Sequence, residues 1–533
     1  MNKSANTPPG ASVHDRRLVP FLALTALLCG AAVMIIEVLG SRVIGPFFGA
    51  SLYVWTSLIT ITLVALAVGY WSGGLLSDRC QQARDWLYGI IALSGMAVLL
   101  IPLLKGPVIK LSMPLGLRLG SLVSAGLLFA PSLMLLGMVS PFIIRIAALE
   151  TASIGRTVGL FSSISTAGSF LGTVCTGFVL IAYFPINQIF LVVGGVLLVT
   201  SVTYALIFKR SGMLLPLLIL PFLVPSGGGT KTKHFTNGMQ LSRIFYKDTF
   251  YGNMQVHEYL HGNQRSRHLV VDATVQGGID LDSGQSLFAY PYFQQFIPRA
   301  INPHGRECLV VGLGPGVIPM WYERQGVRTD VVDIDPEVFG VASRFFGFAV
   351  SGGIYAEDAR YFLNRSTKKY DYVILDVFNG DTTPFHVLSK EALLTVKQRL
   401  SAGGVLGVNI FGAIRGDTLM TASVVRTLKE IFQTVDIYPA IERNDPLGIG
   451  NIELFAYDGK AVTLKPENIS AYQMHPLAEN ARSLMLSTFT FPAETPAMVL
   501  TDSYNPVDFY DVRIKEYSRN RILQFSDIDF LLG

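Results

Sequence analysis

Six long apolar runs decide how the first part of this chain can fold: residues 18–38, 53–76, 86–104, 119–144, 158–182 and 187–208. Each is about as long as the ~20 residues an α-helix needs to cross ~30 Å of hydrocarbon. In lipid every backbone polar group must find its partner within the protein, so such runs are helices. The run after Arg16 and Arg17 continues into Glu37 and is followed by five more. It therefore reads as a first span and not as a cleaved signal peptide. A seventh run, 214–224, is about half a span long and carries Pro216 and Pro221, which leaves a short span and an interfacial segment both open. The SGGG stretch at 226–229 reads as linker.

Charge follows the same division. Residues 1–225 hold 13 of the 42 Lys and Arg and 5 of the 38 Asp and Glu, so the apolar part is positive and the remainder mildly acidic. The acidic part has no basic run, which argues against a nucleic-acid partner. Placing the N-terminus inside puts nine Lys and Arg in the inner segments (Lys3, Arg16, Arg17, Arg79, Arg84, Arg145, Arg156, Lys209, Arg210) and four in the outer loops (Arg42, Lys105, Lys110, Arg118). That bias, with six spans, predicts a soluble part on the cytoplasmic side. The four cysteines show no metal-ligand spacing.

From about residue 240 the pattern changes. Residues 251–260 and 267–273 predict two strands joined by a turn at 261–264, a small β-hairpin subdomain. Strands are then predicted at 307–311, 329–333, 354–357, 371–375 and 405–410, and helices at 317–324, 336–346, 389–399 and 417–431. Such alternation predicts a Rossmann-like, methyltransferase-type parallel sheet covered by helices. The domain reading is an N-terminal tail 1–17, a helical membrane domain 18–225, a linker 226–239, a hairpin subdomain 240–300 and a nucleotide-binding domain 301–533.

The candidate site lies where ligands bind in such sheets, beyond the carboxyl ends of the strands. CLVVGLGPG at 308–316 is a buried strand running into a turn with Gly312, Gly314 and Gly316, and then a helix. Glycines there let the backbone approach a ligand and accept positive φ. VDIDP at 332–336 closes the next strand with Asp333 and Asp335, where a carboxylate can take the hydrogens of ribose hydroxyls. Glu357 and Asp358 follow the third strand, placed to meet an adenine amino group, and Asp376 ends the fourth and opens a loop containing Asp381. The string HEYLH at 257–261 fits a zinc-protease pattern, but it falls on a strand end beside a Gly-Asn turn. Two histidines need one helical face to share that metal, so no metal is expected.

These residues carry a resemblance. The chain resembles the membrane-fused spermidine synthases, a bacterial family joining a transporter-like membrane domain to a polyamine aminopropyltransferase-like domain. In the apolar part the resemblance rests on EVLGSR at 37–42, SLYVWT at 51–56 and GYWSGGLLSDR at 69–79. In the remainder it rests on YGNMQV at 251–256, VDATVQ at 271–276, the glycine turn, VDIDP, EDAR at 357–360, DVFNGD at 376–381 with PFH at 384–386, and LTDSYNP at 500–506. The resemblance implies transfer of an aminopropyl group from decarboxylated S-adenosylmethionine, a co-substrate and not a permanent cofactor, to a diamine such as putrescine. It implies that Asp376 accepts the proton, that Asp333 holds the ribose, that Asp358 lies on the adenine side, and that Gly312, Gly314 and Gly316 lie under the nucleoside. Gln276, Tyr290 and Asp381 are the expected amine-side residues. The expected setting is the cell inner membrane, with lipid and small polyamine and adenosyl molecules as partners, and a homodimer if the apolar half transports.

Four positions depart from the soluble enzymes: Pro315 stands where they carry an Asp that grips the aminopropyl ammonium, Pro291 and Tyr292 where they carry a polar residue and Glu, and Gly252 where a Gln is usual. Two other readings therefore stand beside the first: a methyltransferase-like enzyme on the same scaffold, and a transporter or sensor whose soluble part binds its ligand without turnover.

Overall fold

The computed structural model describes residues 17–49, 52–148, 154–224, 230–378, 384–441 and 445–507, with residues 514, 516–520 and 528–531 near the C-terminus. The chain divides into two compact units.

The first unit is helical. Five helices in the described residues are long and apolar enough to cross a membrane. One of them, Ala83–Ala148, has 66 residues and is broken by the 3-10 turn Met113–Leu115, so it carries two of the six apolar runs. The helices are α1 (Leu18–Phe48), α2 (Leu52–Arg79), α3 (Ala83–Ser112), α4 (Gly116–Ala148), α5 (Ile154–Cys175), continued through a π-turn into α6 (Ile181–Tyr183), and α7 (Ile186–Phe208). Small residues let backbones meet: a Cβ at Gly168 or Gly172 of α5 would lie 2.0 Å from the Leu27 carbonyl oxygen or 2.6 Å from that of Ala31 on α1. Large apolar side chains such as Leu63, Trp71, Phe170 and Phe178 face outward, as a lipid solvent permits. Lys209, just past α7, pairs with Asp85 in the first turn of α3, so these two helices run antiparallel and their positive flanks share one end of the bundle. The 214–224 run forms a 3-10 turn at Leu215–Ile219 and the four-residue helix α8 (Leu220–Leu223), too short to span.

The second unit opens with a five-stranded antiparallel sheet in chain order, β1 (Lys231–His234), β2 (Gln240–Asp248), β3 (Asn253–His261), β4 (Gln264–Val271) and β5 (Thr274–Asp280). The expected hairpin is its centre, β3–β4. The expected linker is corrected by β1, whose four exposed residues pair with β2. Short polar β1 and the Gly277-Gly278 pair in β5 hide both strands from a search for apolar alternation. His257 on β3 is buried against the Gln255 side chain, and His261 is exposed at the strand end.

A seven-stranded sheet follows in the order β11-β12-β10-β9-β6-β7-β8. Its strands are β6 (Glu307–Val311), β7 (Arg328–Asp333), β8 (Ile354–Ala356), β9 (Tyr370–Leu375), β10 (Leu400–Ala413), β11 (Thr434–Pro439) and β12 (Ile449–Tyr457). Strands β6 to β10 are parallel, while β12 runs antiparallel to both β10 and β11. Leu309, Val311, Val332, Val373, Leu375 and Val408 are all buried, the uninterrupted apolar signature of strands covered on both faces. Helices α10 (Val317–Arg324), α11 (Pro336–Phe346), α12 (Ala359–Arg365), α13 (Lys390–Arg399) and α14 (Leu419–Lys429) flank it. One more, α9 (Tyr290–Ile301), lies in the stretch assigned to the hairpin subdomain. Its Phe293 and Phe296 pack with Tyr438 and Phe455 of the large sheet, so it belongs to that layer. The strand order reverses between β6 and β9, which opens a crevice above their carboxyl ends.

Candidate active site

The floor of the crevice is the turn from β6 to α10. Gly312, Gly314 and Gly316 all have positive φ, at 91°, 52° and 82°. At Gly312 the need is also steric, because a Cβ would stand 2.0 Å from the carbonyl oxygen of Asp376. The glycine turn and the end of β9 are therefore pressed backbone to backbone.

Asp333, at the end of β7, binds the turn from the other side. Its Oδ2 accepts the Leu313 N–H at 2.8 Å and its Oδ1 that of Asp335 at 2.9 Å. Each oxygen keeps a second lone pair for a hydroxyl donor. Desolvation outweighs these bonds and pushes the Asp333 carboxyl up to about 6. Asp335 is committed to the fold. It caps α11 by accepting the Glu337 N–H at 3.0 Å and takes the Thr249 hydroxyl at 2.7 Å on its other oxygen. The Glu357 carboxylate forms a two-pronged pair with Arg365, and its N–H donates to the Asp333 carbonyl at 3.0 Å. Asp358 caps α12 through the Tyr361 N–H at 3.0 Å and lies 3.4 Å from His386. Tyr251, which motif reading passed over as a site residue, feels Asp335, Asp358 and Asp333 together; burial first and then these charges push its phenol up.

Asp376 closes the other wall. Among the described residues its side chain has one hydrogen-bond partner, Asn409 of β10, whose amide donates at 2.8 Å. Asn409 in turn accepts from Asn451 at 2.9 Å. Desolvation pushes Asp376 up to about 6, with the Asn409 bond opposing it. A carboxylate so placed is ionised at neutral pH and still basic enough to accept a proton. Beside it the Tyr290 hydroxyl donates to the Gln276 carbonyl at 3.0 Å, which ties α9 to β5. The Pro315 ring rests on β5 as well: a Cβ on Gly277 would lie 2.8 Å from its Cγ. A Cβ on Gly252 would meet the Asp272 carboxylate at 2.9 Å, so a Gln there would require that side chain to shift. Two distant motifs meet where Arg360 grips Asp502 with bonds of 2.7 and 2.6 Å. Asp381 lies outside the described residues.

The crevice thus gathers Asp333, Asp376, Gly312, Gly314, Gln276 and Tyr290, with Asp358 at its β8 side. Sequence reading missed Asn409 and the buried pair Gln294 and Glu453, although a polar residue inside an apolar strand run was there as the signal.

No family model matches the chain. It is 35% identical over 130 residues to a polyamine aminopropyltransferase of Vibrio vulnificus, covering 23% of this chain and 44% of that one. It is also 35% identical over 147 residues to an N-terminal histidine N-methyltransferase of Emericella nidulans, covering 27% of this chain and 26% of that one. The chain spans less than half the length of each of these relatives. A crystal structure of a probable spermidine synthase from Corynebacterium glutamicum aligns with 50% of this chain and 91% of its own at a TM-score of 0.37 and 18% identity. The aminopropyltransferase relatives cover the C-terminal part of the chain.

Proposed function

We propose that the chain is a membrane-anchored aminopropyltransferase, with decarboxylated S-adenosylmethionine as donor and a diamine such as putrescine as acceptor. In this reading the nucleoside lies over Gly312 and Gly314, and its ribose hydroxyls donate to Asp333. The neutral amine nitrogen attacks the methylene carbon beside the sulfonium. The new C–N bond forms as the C–S bond breaks, methylthioadenosine leaves uncharged and the positive charge passes to the product's secondary ammonium; Asp376 holds the proton that the primary ammonium gave up to become the attacking amine. The observation that carries the reading is the placement of Asp376. Its backbone is pressed against the glycine turn, and its half-buried carboxylate is held by Asn409 through one oxygen, with burial keeping it basic. The soluble half lies on the cytoplasmic side, where the donor is made; the nine-to-four Lys and Arg bias supports this.

The test is incubation of the detergent-solubilised full chain with both substrates. Release of methylthioadenosine by wild type and its loss in Asp376→Asn support the reading, and no release by wild type overturns it. Pro315, in the place of an ammonium-binding Asp, and the histidine methyltransferase relative favour methyl transfer as the second reading. Mass spectrometry of the acceptor separates a methyl from an aminopropyl gain.

A further inference from the structure

Glu453 sits in the middle of β12 with 0% of its surface exposed. Gln294 of α9 donates to one of its oxygens, while Glu453 Oε1 and Gln294 Oε1 are both buried with no hydrogen-bond partner among the described residues. Its cross-strand neighbour is Asn409, the residue that holds Asp376. Paired residues on adjacent strands put their side chains on the same face, so Glu453 stands on the side of the sheet from which Asn409 reaches Asp376. The Tyr290 phenol feels the charges of both Asp376 and Glu453, and Glu453 feels that of Asp376, so the two carboxyls and the phenol lie near one another at the inner wall of the crevice.

Among the described residues no Lys, Arg or His hydrogen-bonds to either carboxyl. The titratable groups that face Glu453 are Asp376 at the end of β9, Tyr290 on α9 and Tyr438, its partner on β11. Tyr322 of α10 reaches Gln294 from behind, through its backbone carbonyl. Burial and then the Asp376 charge hold the Glu453 carboxyl well above the usual range. An ionised carboxylate in such a place needs a cation or it takes up a proton.

We propose that Glu453 is the counter-charge for a cationic amine: neutral while the crevice is empty, and a carboxylate once an ammonium group enters beside Asp376. This deepens the aminopropyltransferase reading and rests on it. It names the substrate class of the inner wall as a primary ammonium and supplies an anionic partner where Tyr292 stands in place of a Glu. One positive charge enters and one proton leaves Glu453 for water, so the net charge of the enclosed wall is unchanged.

The experiment is calorimetric titration of putrescine into the full chain in detergent, with methylthioadenosine present. It is run in phosphate and in Tris, whose heats of ionisation differ, so that proton release is read from the difference. Wild type is expected to release about one proton more than Glu453→Gln, and the variant to bind putrescine about tenfold more weakly while binding methylthioadenosine unchanged. Glu453→Asp should restore the release. Equal proton release by wild type and Glu453→Gln overturns the inference and leaves the proposed activity standing; absence of putrescine binding in wild type overturns both. If Glu453→Gln does not fold, judged by lost methylthioadenosine binding, wild type decides the matter alone: putrescine affinity must rise with pH across the neutral range, and a flat dependence is the overturning result.

Discussion

The Asn409 amide nitrogen lies 2.8 Å from Oδ1 of Asp376 and is the only hydrogen bond among the described residues that favours the charged form of that carboxyl. Removing it should raise the affinity of Asp376 for its proton. A hydrogen bond to a charged group is worth about 1.5–3 kcal/mol, so Asn409→Leu should move the acid limb of the rate profile upward by about 1–2 pH units from its position near 6. A profile whose acid limb stays in place removes Asp376 from the role of proton acceptor.

The same carboxyl makes a prediction about stability. Its pKa in the folded chain is about 6, above the ordinary 3.8, so the fold disfavours its charge. Its favourable contribution is present below about 4 and is lost as pH rises through 6. Asp376→Asn keeps the shape and an oxygen for Asn409 to donate to. The variant should melt above wild type at pH 7.5 and level with it at pH 4, read by thermal unfolding at both values. A variant that is less stable at pH 7.5 would contradict a desolvated Asp376.

Much of this pocket was legible because its parts are contiguous. The apolar run of β6, the glycines and the acid closing β7 lie within 308–335, and each sits on a strand end that a period-of-two or all-apolar pattern exposes. What was not legible depends on partners far along the chain. Glu453 and Asn409 are 44 residues apart and become neighbours only because β12 folds back against β10. Helix α9 was not among the predicted helices, and its Pro291 and Pro298 are weak signals for one. The structure places Pro291 in the first turn, where no backbone N–H is required, and Pro298 in the last, one turn before the helix ends. Glu453 and Asn409 still left a trace, as polar residues in apolar runs.

Two glycines should respond in opposite directions to the same substitution. Gly312→Ala combines φ of 91° with a Cβ 2.0 Å from the Asp376 carbonyl, so it should cost more than the about 1–2 kcal/mol of the backbone strain alone. Gly340 is inside α11 with nothing within 4 Å of a Cβ, and Gly340→Ala should stabilise by about 0.5–1 kcal/mol. Chemical unfolding of both variants, with methylthioadenosine binding as a second readout, checks the pair. A tolerated Gly312→Ala would mean that the turn does not press on β9.

Arg360 and Asp502 join EDAR to LTDSYNP by a two-pronged pair, and the Arg360 bond holds the Asp502 carboxyl down at about 2. Their side chains are 28% and 42% exposed, so solvent screens the pair, and a double-mutant cycle should read only about 0.5–1 kcal/mol. The contribution is present above the ordinary carboxylate value near 4 and fades as pH falls toward 2. A coupling energy that is unchanged between pH 7 and pH 2.5 would assign it to packing instead of charge.

Pro315 provides the sharpest test of donor choice. Its ring covers Gly277 on the floor of the crevice, at the position where the resemblance places an Asp that grips the aminopropyl ammonium. Pro315→Asp replaces an apolar cover by a carboxylate at the sulfonium end of the nucleoside, with Gly316 and its positive φ still starting α10. A charge-assisted bond to the aminopropyl ammonium should tighten decarboxylated S-adenosylmethionine about tenfold, or ~1.4 kcal/mol. S-adenosylmethionine carries its own carboxylate next to that amine, and repulsion should hold its gain well below this. The ratio of the two dissociation constants, compared between wild type and Pro315→Asp, is the measurement. If the variant improves both donors equally, or neither, residue 315 does not face the aminopropyl chain, and the orientation of the nucleoside over the glycine turn is wrong.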